Sequence, residues 1–576
     1  MALDFRNTNS LWASIAVETL AKLGLQTAIT CPGSRSTPLT FAFARHPDIE
    51  ALPILDERSA AFFALGCAKR QFRPVALVCT SGTAGANFYP AVIEACESGV
   101  PLLIFTADRP PELRDCASGQ TIDQQKLFGR FAKHYSEMAV PETAIAMLNY
   151  LRQTLVSGWG QAISPKAGPV HFNCPFRDPL PPILDGETQR LEAAFNQKKF
   201  FQSVTVPDPI MTRTQSIPGD LWTQTETGVI IAGPAISAFP KRYCEAMREL
   251  SGALGWPVLA EGLSPLRNYL QPEDAIVSTY DLILRDEKRA ESLVPEKVIQ
   301  FGPLPTSKVL RQWLQTHQPQ RWVIGDGHNL DPLHGPTQFL YSDVERLADN
   351  FRNGSSSALN HRDYCQRWLK YERLVRHPLN DRLATEPALV ESKIVWLLSQ
   401  HLPEHTPLFI ANSMPVRDVE YFWPANNRQI LPLFNRGANG IDGTLSAAMG
   451  VAHRNRPTVL LSGDLAFLHD TNGLLNAAQL QGHLTVVVIN NHGGGIFEGL
   501  PISQFEPEFE KYFVTPQSVN LFSLCKAYGI AHRLIVEVKD FVDCLENLPA
   551  QGMRILEVMC DRKQSALQRK TLLNSL

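Results

Sequence analysis

The sequence has no excess of charge of either sign and no long apolar run. Its 576 residues contain 54 Lys and Arg against 57 Asp and Glu, which gives a formal net charge of -3. Nucleic-acid binders draw their affinity from massed positive charge, so this balance argues against a general nucleic-acid or polyanion binder. No apolar stretch approaches the ~18 residues needed to cross a bilayer, so we expect no membrane insertion.

The eleven cysteines are scattered and include no C-x-x-C pair. Several of them, such as Cys67, Cys79 and Cys96, fall within apolar strand or helix patterns. We therefore expect buried thiols in a reducing compartment, and neither disulfides nor a zinc site. The first residues lack the charged-then-apolar pattern of an export signal, which leads us to expect a cytoplasmic protein.

Short apolar strands alternate with helical patterns in three regions of the chain. This alternation predicts an α/β fold whose parallel sheets are covered on both faces. A proline-rich stretch, 176–226, separates the first region from the second, and a charged helical pattern, 363–376, precedes the third. We predict three doubly wound parallel-sheet domains, at 1–180, 195–360 and 380–576.

The strongest chemical signal lies in the third region. Residues 458–489 follow the pattern strand, Ser-Gly-Asp-Leu turn, helix and strand, and Asn-Asn-His-Gly-Gly comes next. We expect the helix to run to Leu480. Such a crossover places Asp464 and Asn491 at the carboxyl ends of neighbouring parallel strands, where open α/β sheets bind their ligands.

Oxygen ligands at this edge suit a hard cation such as Mg²⁺ or Mn²⁺. The Asp464 carboxylate, the Asn491 amide oxygen and a backbone carbonyl at Gly493 supply three ligands, and diphosphate oxygens and a water complete the shell. Gly463 lets the turn pass close to a phosphate. The arrangement resembles the diphosphate-binding motif of thiamin-diphosphate enzymes, Gly-Asp-x followed by Asn-Asn, with Leu465 where the family usually has glycine.

A second Gly-Asp pair, Gly325-Asp326, has an asparagine at the same spacing, Asn353. We reject this pair as a cofactor motif. Two prolines break the helix that should follow it, and residues 344–352 form a charged helical pattern where a buried strand is needed. Spacing without the crossover does not predict a site.

A thiamin cofactor needs a second carboxyl, which hydrogen-bonds to its pyrimidine ring. Such an acid keeps its proton best in a largely apolar pocket. Glu57 is the candidate, because it lies between a strand pattern and an apolar helical pattern at 59–70, as in that family. Taken alone, the Asp-Glu-Arg triplet at 56–58 is typical of a solvated charge cluster.

Further segments resemble one group of these enzymes. They are Pro-Gly-Ser-Arg-Ser-Thr-Pro-Leu at 32–39, Thr-Ala-Asp-Arg-Pro-Pro-Glu at 106–112 and Asn-Arg-Gly-Ala-Asn-Gly at 435–440. The group is the family of 2-succinyl-5-enolpyruvyl-6-hydroxy-3-cyclohexene-1-carboxylate synthases, abbreviated here as SEPHCHC synthases. The resemblance extends to about Phe513, and it is dense in both end domains and sparse in the middle one.

The resemblance implies a transferase that decarboxylates 2-oxoglutarate on thiamin diphosphate. The succinyl carbanion equivalent then adds to isochorismate by 1,4-addition, on the way to menaquinone or phylloquinone. In this family the first domain binds the pyrimidine through its glutamate, and the third binds the diphosphate and the metal. The family also implies a homodimer or homotetramer with active sites between subunits.

Both substrates are dianions, so their pocket needs fixed cations with bidentate reach. The resemblance assigns to the substrates Ser34, Arg35, Arg109, Gln120, Lys308, Ser413, Arg417, Arg436, Ile496 and Phe497. It assigns to the cofactor Glu57, Thr80, Ser413, Ile441, Gly463, Asp464, Leu465 and Asn491. For any single arginine, a surface ion pair is the alternative. Beside Lys308, a family arginine is replaced by Val309.

Two other functions stay open at this point. An acetolactate-synthase-type carboligase would take small neutral partners, which the arginine set disfavours. A non-catalytic thiamin-fold protein would be expected to lose Glu57 or Asp464, and the sequence has both. The chain contains no His-His pair, which counts against an enzyme of the pyruvate decarboxylase type.

Overall fold

The computed structural model describes residues 2–186, 188–206, 217–325, 329–352 and 363–574. Within these ranges, three six-stranded sheets form, and every strand pairing in them is parallel. Nine of the eighteen strands in these ranges are buried along their whole length, as expected for sheets with helices on both faces. The predicted α/β class with three parallel sheets is confirmed.

The first sheet has the strand order β2-β1-β3-β4-β6-β5. Its strands are β1 (Thr27–Thr30), β2 (Glu50–Pro53), β3 (Val75–Cys79), β4 (Leu102–Asp108), β5 (His134–Glu137) and β6 (Val170–Pro175). The helices are α1 (Thr8–Lys22), α2 (Thr37–Arg45), α3 (Glu57–Gln71), α4 (Thr83–Asn87), α5 (Tyr89–Ser98), α6 (Ile145–Ile163), α7 (Gln189–Ala194) and α8 (Gln197–Phe200). The strand order reverses between β1 and β3, so ligands are expected at the carboxyl ends of those strands.

The second sheet has the order β12-β11-β10-β7-β8-β9. Its strands are β7 (Gly228–Ala232), β8 (Val258–Ala260), β9 (Ile276–Val277), β10 (Lys297–Phe301), β11 (Gln320–Gly325) and β12 (Thr337–Tyr341). The helices are α9 (Gly219–Thr223), α10 (Pro240–Leu254), α11 (Tyr280–Ile283), α12 (Glu287–Ser292), α13 (Lys308–His317), α14 (Val344–Arg352) and α15 (Asp363–Thr385). In the rejected motif, α14 is a helix as predicted, whereas Asp326 and Asn353 lie outside the described residues.

The third sheet has the order β14-β13-β15-β16-β18-β17. Its strands are β13 (Pro407–Ile410), β14 (Leu431–Phe434), β15 (Thr458–Gly463), β16 (His483–Asn490), β17 (Ala531–Ile535) and β18 (Gly552–Met559). The helices are α16 (Glu391–His401), α17 (Met414–Phe422), α18 (Thr444–Ala452), α19 (Asp464–His469), α20 (Leu521–Ala527), α21 (Val538–Glu546) and α22 (Arg562–Asn574). The strand order reverses here between β13 and β15, which puts the expected ligand crevice beside the end of β15.

The helix after β15 is shorter than the sequence predicts. It ends at His469 instead of continuing to Leu480, and a 3-10 segment, Thr471–Gln479, follows. The buried carboxylate of Asp470 accepts hydrogen bonds from the backbone N–H and the hydroxyl of Ser446, at 2.7 and 3.1 Å. This tertiary contact fixes the chain at the point where a regular helix would have continued. Shorter irregular helical segments are Pro111–Leu113, Gly129–Phe131, Pro265–Asn268, Gly495–Gly499, Pro501–Gln504 and Glu510–Val514.

Contacts divide the chain into two compact units. One contains the first sheet together with Asn435–His453 and His469–Leu480, and the other contains the second and third sheets. Each predicted domain range includes one whole sheet, but where one domain ends and the next begins stays a prediction. None of the helices in the described ranges is long and apolar enough to cross a bilayer.

Helices α3 and α18 pack backbone to backbone within the first unit. A Cβ atom added to Gly66 of α3 would lie 2.0 Å from the Ala447 carbonyl oxygen, and one added to Gly450 would lie 2.1 Å from the Phe63 carbonyl oxygen. The Cys67 thiol also contacts the Gly450 carbonyl oxygen, at 3.3 Å. Glycine is therefore required on each helix where the two cross.

We expect Gly66→Ala to destabilise the protein, although alanine is the better helix former by ~1 kcal/mol. The added methyl group meets backbone, which cannot move aside as a side chain can, and overpacking of this kind costs ~1–3 kcal/mol or more. Gly119→Ala is the matched control, because its Cβ would meet no atom within 4 Å. In thermal unfolding, a Gly66→Ala transition at or above that of the control would contradict this packing.

Candidate active site

The end of β15 lies beside the loop that follows β16. The two strands pair in parallel with Gly463 opposite Ile489, so the residues that follow them are neighbours. The Asp464 carboxylate is 4% exposed and accepts hydrogen bonds from the backbone N–H groups of Leu465 and Gly493, at 2.9 and 2.8 Å. Burial raises the pKa of Asp464 to about 6, against the lowering effect of these N–H groups.

The amide of Asn491 presents a buried oxygen without a hydrogen-bond partner among the described residues. Its nitrogen donates to the Glu391 carboxylate at 2.7 Å. A carboxylate can only accept, so the amide nitrogen must face Glu391 and the oxygen must face away from it. A buried amide oxygen left free in this way costs free energy unless a donor or a cation satisfies it.

The residues after Asn491 bring a third oxygen close to the strand end. Gly493 has φ of +133°, and a Cβ there would lie 2.5 Å from the Val514 carbonyl oxygen, so only glycine fits. Its own carbonyl accepts one hydrogen bond, from Gly495 at 2.9 Å, and a carbonyl oxygen has a second lone pair. Carboxylate, amide and carbonyl oxygens together form the hard donor set that suits Mg²⁺.

The space for a diphosphate lies next to this donor set. A Cβ on Gly463 would meet no atom within 4 Å, so the strand end is open on that side. The half-buried Leu465 follows Asp464 in the first turn of α19. In the described ranges, no group of three or more His, Cys, Asp or Glu side chains is arranged to hold a metal ion, so a metal at this edge would depend on the mixed oxygen set.

Two further groups of predicted residues lie in segments that follow β13 and β16 of the third sheet, and Arg417 among them lies in helix α17 instead of a loop. Ser413 follows β13, the neighbour of β15, with φ of +72°, and its carbonyl accepts a hydrogen bond of 2.5 Å from the Arg417 guanidinium. Burial lowers the pKa of Arg417. Ile496 and Phe497 lie in the short helical segment after Gly494, half-buried, and the Phe497 ring packs edge-on against Phe513 at 5.9 Å.

Glu57 is the first residue of α3. The Asp56 carboxylate caps this helix by accepting a 2.9 Å hydrogen bond from the Ser59 N–H, which fixes where Glu57 stands. The Glu57 carboxyl is half-buried, and burial, followed by the charge of Asp56, raises its pKa. Glu57 therefore keeps its proton at a higher pH than an ordinary glutamate, as a proton-sharing acid requires.

Arg35 and Arg109 bring two positive charges together at the edge of the first sheet. Arg35 is 9% exposed and donates to the Phe176 carbonyl at 2.9 Å. Burial, and next the charge of Arg109, lowers the pKa of Arg35. Arg35 also forms an ion pair with the exposed Asp178, at 3.8 Å. The charge of Asp108 also acts on Arg35 and opposes the lowering of its pKa. Two adjacent guanidinium groups are the electrostatic feature that favours binding of an anion here.

Arg109 is held by neutral groups. Its guanidinium donates to the Ser81 hydroxyl and to the Gly119 carbonyl, the latter at 2.8 Å. Gln120 has φ of +57°. Its side-chain amide donates to the Ser81 carbonyl at 3.0 Å, and its backbone carbonyl accepts from the Ser81 hydroxyl at 3.0 Å. The structure thus brings Arg109 and Gln120 together through Ser81.

Four other predicted residues belong to the first unit. Ser34 and Thr80 follow strands β1 and β3, and Arg436 and Ile441 lie on the segment before α18. Thr80 is buried against Gly33, where a Cβ would lie 2.2 Å from the Thr80 Cβ, and Ser34 beside it is exposed. Arg436 and Ile441 are half-buried. Lys308, in the second unit, is exposed at the start of α13.

Sequence reasoning missed several residues that hold the site. Ser81 joins Arg109 to Gln120, and Glu391 fixes the amide of Asn491. Ser81 lies in a Ser-Gly turn just after β3, so the sequence did contain a signal for it. Glu391 lies 100 positions before Asn491 in the chain, and nothing in its local sequence distinguishes it from a surface glutamate.

Three family models match this sequence and together span most of it. They are "Thiamine pyrophosphate enzyme, N-terminal TPP binding domain" at residues 12–127, "Middle domain of thiamine pyrophosphate" at 188–410 and "Thiamine pyrophosphate enzyme, C-terminal TPP binding domain" at 416–558. Thiamine pyrophosphate is another name for thiamin diphosphate. The two terminal matches include Glu57 and the segment from Asp464 to Asn491.

Several relatives that match along nearly the whole chain carry the name 2-succinyl-5-enolpyruvyl-6-hydroxy-3-cyclohexene-1-carboxylate synthase. The protein of that name from Gloeothece citriformis is 53% identical over 578 residues, covering 100% of this chain and 99% of the relative. Those from Nostoc sp. and Trichodesmium erythraeum are 54% and 53% identical over 579 and 574 residues. The alignments cover 100% and 98% of this chain, and 99% and 98% of the relatives.

The raised pKa of Glu57 predicts a pH-dependent stability effect. Below the ordinary glutamate value of 4.5, the carboxyl is protonated in both the folded and the unfolded chain. As the pH rises above it, the unfolded chain ionises first, so the free energy of unfolding falls until the folded pKa is passed. We therefore expect Glu57→Gln, which is neutral throughout, to raise the unfolding temperature of the cofactor-free protein at pH 7.

The gain should shrink as the pH is lowered towards 4.5. Asp48→Asn, which removes an exposed carboxylate of the same unit, serves as the control and should show no such pH-dependent gain. Thermal unfolding at several pH values measures both variants. A Glu57→Gln variant less stable than wild type at pH 7 would show that burial does not disfavour the ionised carboxylate.

Proposed function

The chain belongs to the SEPHCHC synthase family of thiamin-diphosphate enzymes, and from this premise we propose which residues carry out each part of the reaction. The reaction decarboxylates 2-oxoglutarate and joins the remaining succinyl unit to isochorismate, on the route to menaquinone or phylloquinone. The observation that carries this conclusion is the 53–54% identity to SEPHCHC synthases over essentially the whole chain.

We propose that the end of β15 holds the diphosphate of the coenzyme through a divalent cation, Mg²⁺ or Mn²⁺. The proposed ligands are the Asp464 carboxylate, the Asn491 amide oxygen and the Gly493 carbonyl. The buried Asn491 oxygen supports this assignment, because it has no partner among the described residues and a hard cation would satisfy it. The open space at Gly463 gives a phosphate room beside these ligands.

Glu57 is the proposed acid at the pyrimidine ring. Thiamin diphosphate, when bound, supplies the centre that accepts the electron pair released on loss of CO₂. The task of Glu57 is to hold a proton at its carboxyl oxygen, where it can be shared with the ring nitrogen. Its raised pKa supports this role, because a fully ionised carboxylate has no proton to share.

Arg35 and Arg109 are proposed to bind substrate carboxylates. The product named for this family carries three carboxyl groups, on the succinyl chain, on the enolpyruvyl group and on the ring, so its pocket must offer several cations. A guanidinium binds a carboxylate through two parallel hydrogen bonds, which fixes its orientation. Gln120 and Ser34 lie on neighbouring loops, and Arg417 is proposed as a further cation on the third sheet.

The remaining assignments follow the family pattern. Thr80, Ser413, Leu465 and Ile441 are proposed cofactor contacts, and Ile496 and Phe497 are proposed to line the isochorismate side. Lys308 and Arg436 remain proposed substrate contacts. We also propose a homodimer or homotetramer in which the active sites lie between subunits. An acetolactate-type carboligase is not favoured, since the full-length relatives reported above are SEPHCHC synthases.

The activity assay combines 2-oxoglutarate, isochorismate, thiamin diphosphate and Mg²⁺, and follows CO₂ and the adduct. We expect Glu57→Gln to keep Mg²⁺-dependent cofactor binding and to lose most of its turnover, because the amide replaces the carboxyl proton that is shared with the coenzyme. Asp48→Asn should turn over as wild type does. Unchanged turnover in Glu57→Gln would remove Glu57 from the mechanism, and CO₂ release from pyruvate instead would favour the acetolactate-type reaction.

Arg109→Lys tests the anion pocket. Lysine keeps the charge but cannot form the paired hydrogen bonds of a guanidinium, so we expect KM for one of the two substrates to rise roughly tenfold or more. Arg73→Lys, at an exposed position of the same unit, is the matched control. Steady-state kinetics with each substrate varied in turn measures the effect. An unaltered KM for both substrates would exclude Arg109 from their binding.

A further inference from the structure

The last helix of the chain, α22, reaches back to the proposed metal site through Arg569. Its guanidinium bonds to both oxygens of Asp418, at 2.7 and 2.9 Å, and to one oxygen of Glu391, at 2.5 Å. Asp418 is fully buried and Glu391 is 2% exposed. One side chain from the end of the chain therefore neutralises two buried carboxylates that come from other helices.

The Glu391 carboxylate bonds to both Arg569 and Asn491. One of its oxygens accepts from Arg569 and the other accepts from the Asn491 amide nitrogen, at 2.7 Å. The order Arg569, Glu391, Asn491 is thus a continuous line of charge-assisted hydrogen bonds. At its end is the amide oxygen without a partner among the described residues, whose direction is set by the nitrogen that Glu391 holds.

Through Asp418, the same guanidinium also contacts helix α17, which carries the proposed substrate residue Arg417. Asp418 lies in α17 next to Arg417, whose guanidinium bonds to the Ser413 carbonyl. Because Asp418 is bound by two hydrogen bonds from one planar group, α17 is held in both position and rotation. Arg569 thereby links the helix of Arg417 to the carboxylate behind Asn491.

A second arginine of α22 holds the loop after Asn491. Arg562 lies about two helical turns before Arg569, on the same face of the helix. It is paired with Glu498 and Glu510, the latter at 2.6 Å, and reaches the His492 carbonyl at 3.5 Å. Arg562 thus contacts the loop that contains the proposed ligand Gly493, and Arg569 contacts the carboxylate that bonds to Asn491.

Stability alone is a weak reason for this arrangement. Taking charged groups out of water is unfavourable, and apolar replacements of buried ion networks are often neutral or stabilising. A carboxylate that fixes the orientation of a metal ligand, in contrast, typically matters for metal affinity. This contrast separates a positioning role from a merely structural one.

We propose that α22 is a positioning element of the metal site, in which Arg569 acts through Glu391 to aim the Asn491 oxygen at the cation and through Asp418 to hold α17. The proposal rests on the metal ligands given under Proposed function. It assigns to the end of the chain a role in binding the cofactor's metal, and it treats Arg569 and Glu391 as positioning residues.

The test starts from protein purified without cofactor or metal. Thiamin diphosphate is added at a fixed concentration, and Mg²⁺ is then titrated while its binding is followed by calorimetry or by tryptophan fluorescence. We expect Arg569→Met to weaken the apparent Kd for Mg²⁺ by roughly 10–100-fold, the usual range for the loss of such a support. Arg569→Lys keeps the charge but cannot span both carboxylates, so its loss should be smaller. Lys570→Met removes an exposed charge from the same helix and should leave the Kd unchanged.

Glu391→Gln shows whether Arg569 acts through Glu391. The glutamine oxygen can still accept from Asn491, and the glutamine needs no guanidinium to neutralise it. We therefore expect Arg569→Met to weaken Mg²⁺ binding less in the Glu391→Gln background than in wild type. Strictly additive effects would mean that the two residues act independently, and would overturn the proposed line of contacts.

Thermal unfolding of the ligand-free variants separates the outcomes. If Arg569→Met and Arg569→Lys lower the unfolding temperature but bind Mg²⁺ as wild type does, Arg569 is only structural and the inference is overturned. If Arg569→Met does not fold, the lysine variant decides in the same way. If wild type itself binds thiamin diphosphate equally well without a divalent cation, the proposed metal site fails and this inference fails with it.

Discussion

The parallel pairing of β15 with β16 is the constraint on which the third sheet's chemistry depends. It sets Gly463 opposite Ile489, and so brings the Asp464 carboxylate within a hydrogen bond of the loop that carries Asn491 and Gly493. A slip of the pairing by one residue would turn these side chains to the other face of the sheet. The buried strands on both sides hold this register, so packing energy far from the site determines where its oxygens lie.

Buried charge is the second theme of the structure. Ionisable groups in contact with water are inexpensive, yet here Asp464, Arg35 and Glu57 are wholly or partly withdrawn from it, and burial shifts the pKa of each towards its neutral form. Burying these ionisable groups destabilises the folded protein, and a bound cation or anion of opposite charge offsets this loss. Shifted pKa values of this kind are common at functional sites. The two adjacent guanidinium groups of Arg35 and Arg109, and the amide oxygen of Asn491 without a partner among the described residues, are complementary examples of this condition.

Local patterns in the sequence predicted what depends on local structure. The crossover from Thr458 to Asn491 contains its own strands and turns, so its place in a parallel sheet could be deduced. The end of α19 could not, because a tertiary contact between Asp470 and Ser446 fixes it. The line from Arg569 to Asn491 was equally hidden, since a guanidinium selects partners by distance in space and its carboxylates lie more than 150 positions away.

We propose, as the claim on which the function depends, that Glu57 of one subunit and Asp464 of another act on the same coenzyme. Mixing Glu57→Gln with Asp464→Asn subunits tests it directly, because each mixed dimer would then contain one site with both native carboxyls and one with neither. Under random mixing, the account predicts recovery of about a quarter of wild-type activity from two nearly inactive variants. No activity above that of the separate variants would contradict it.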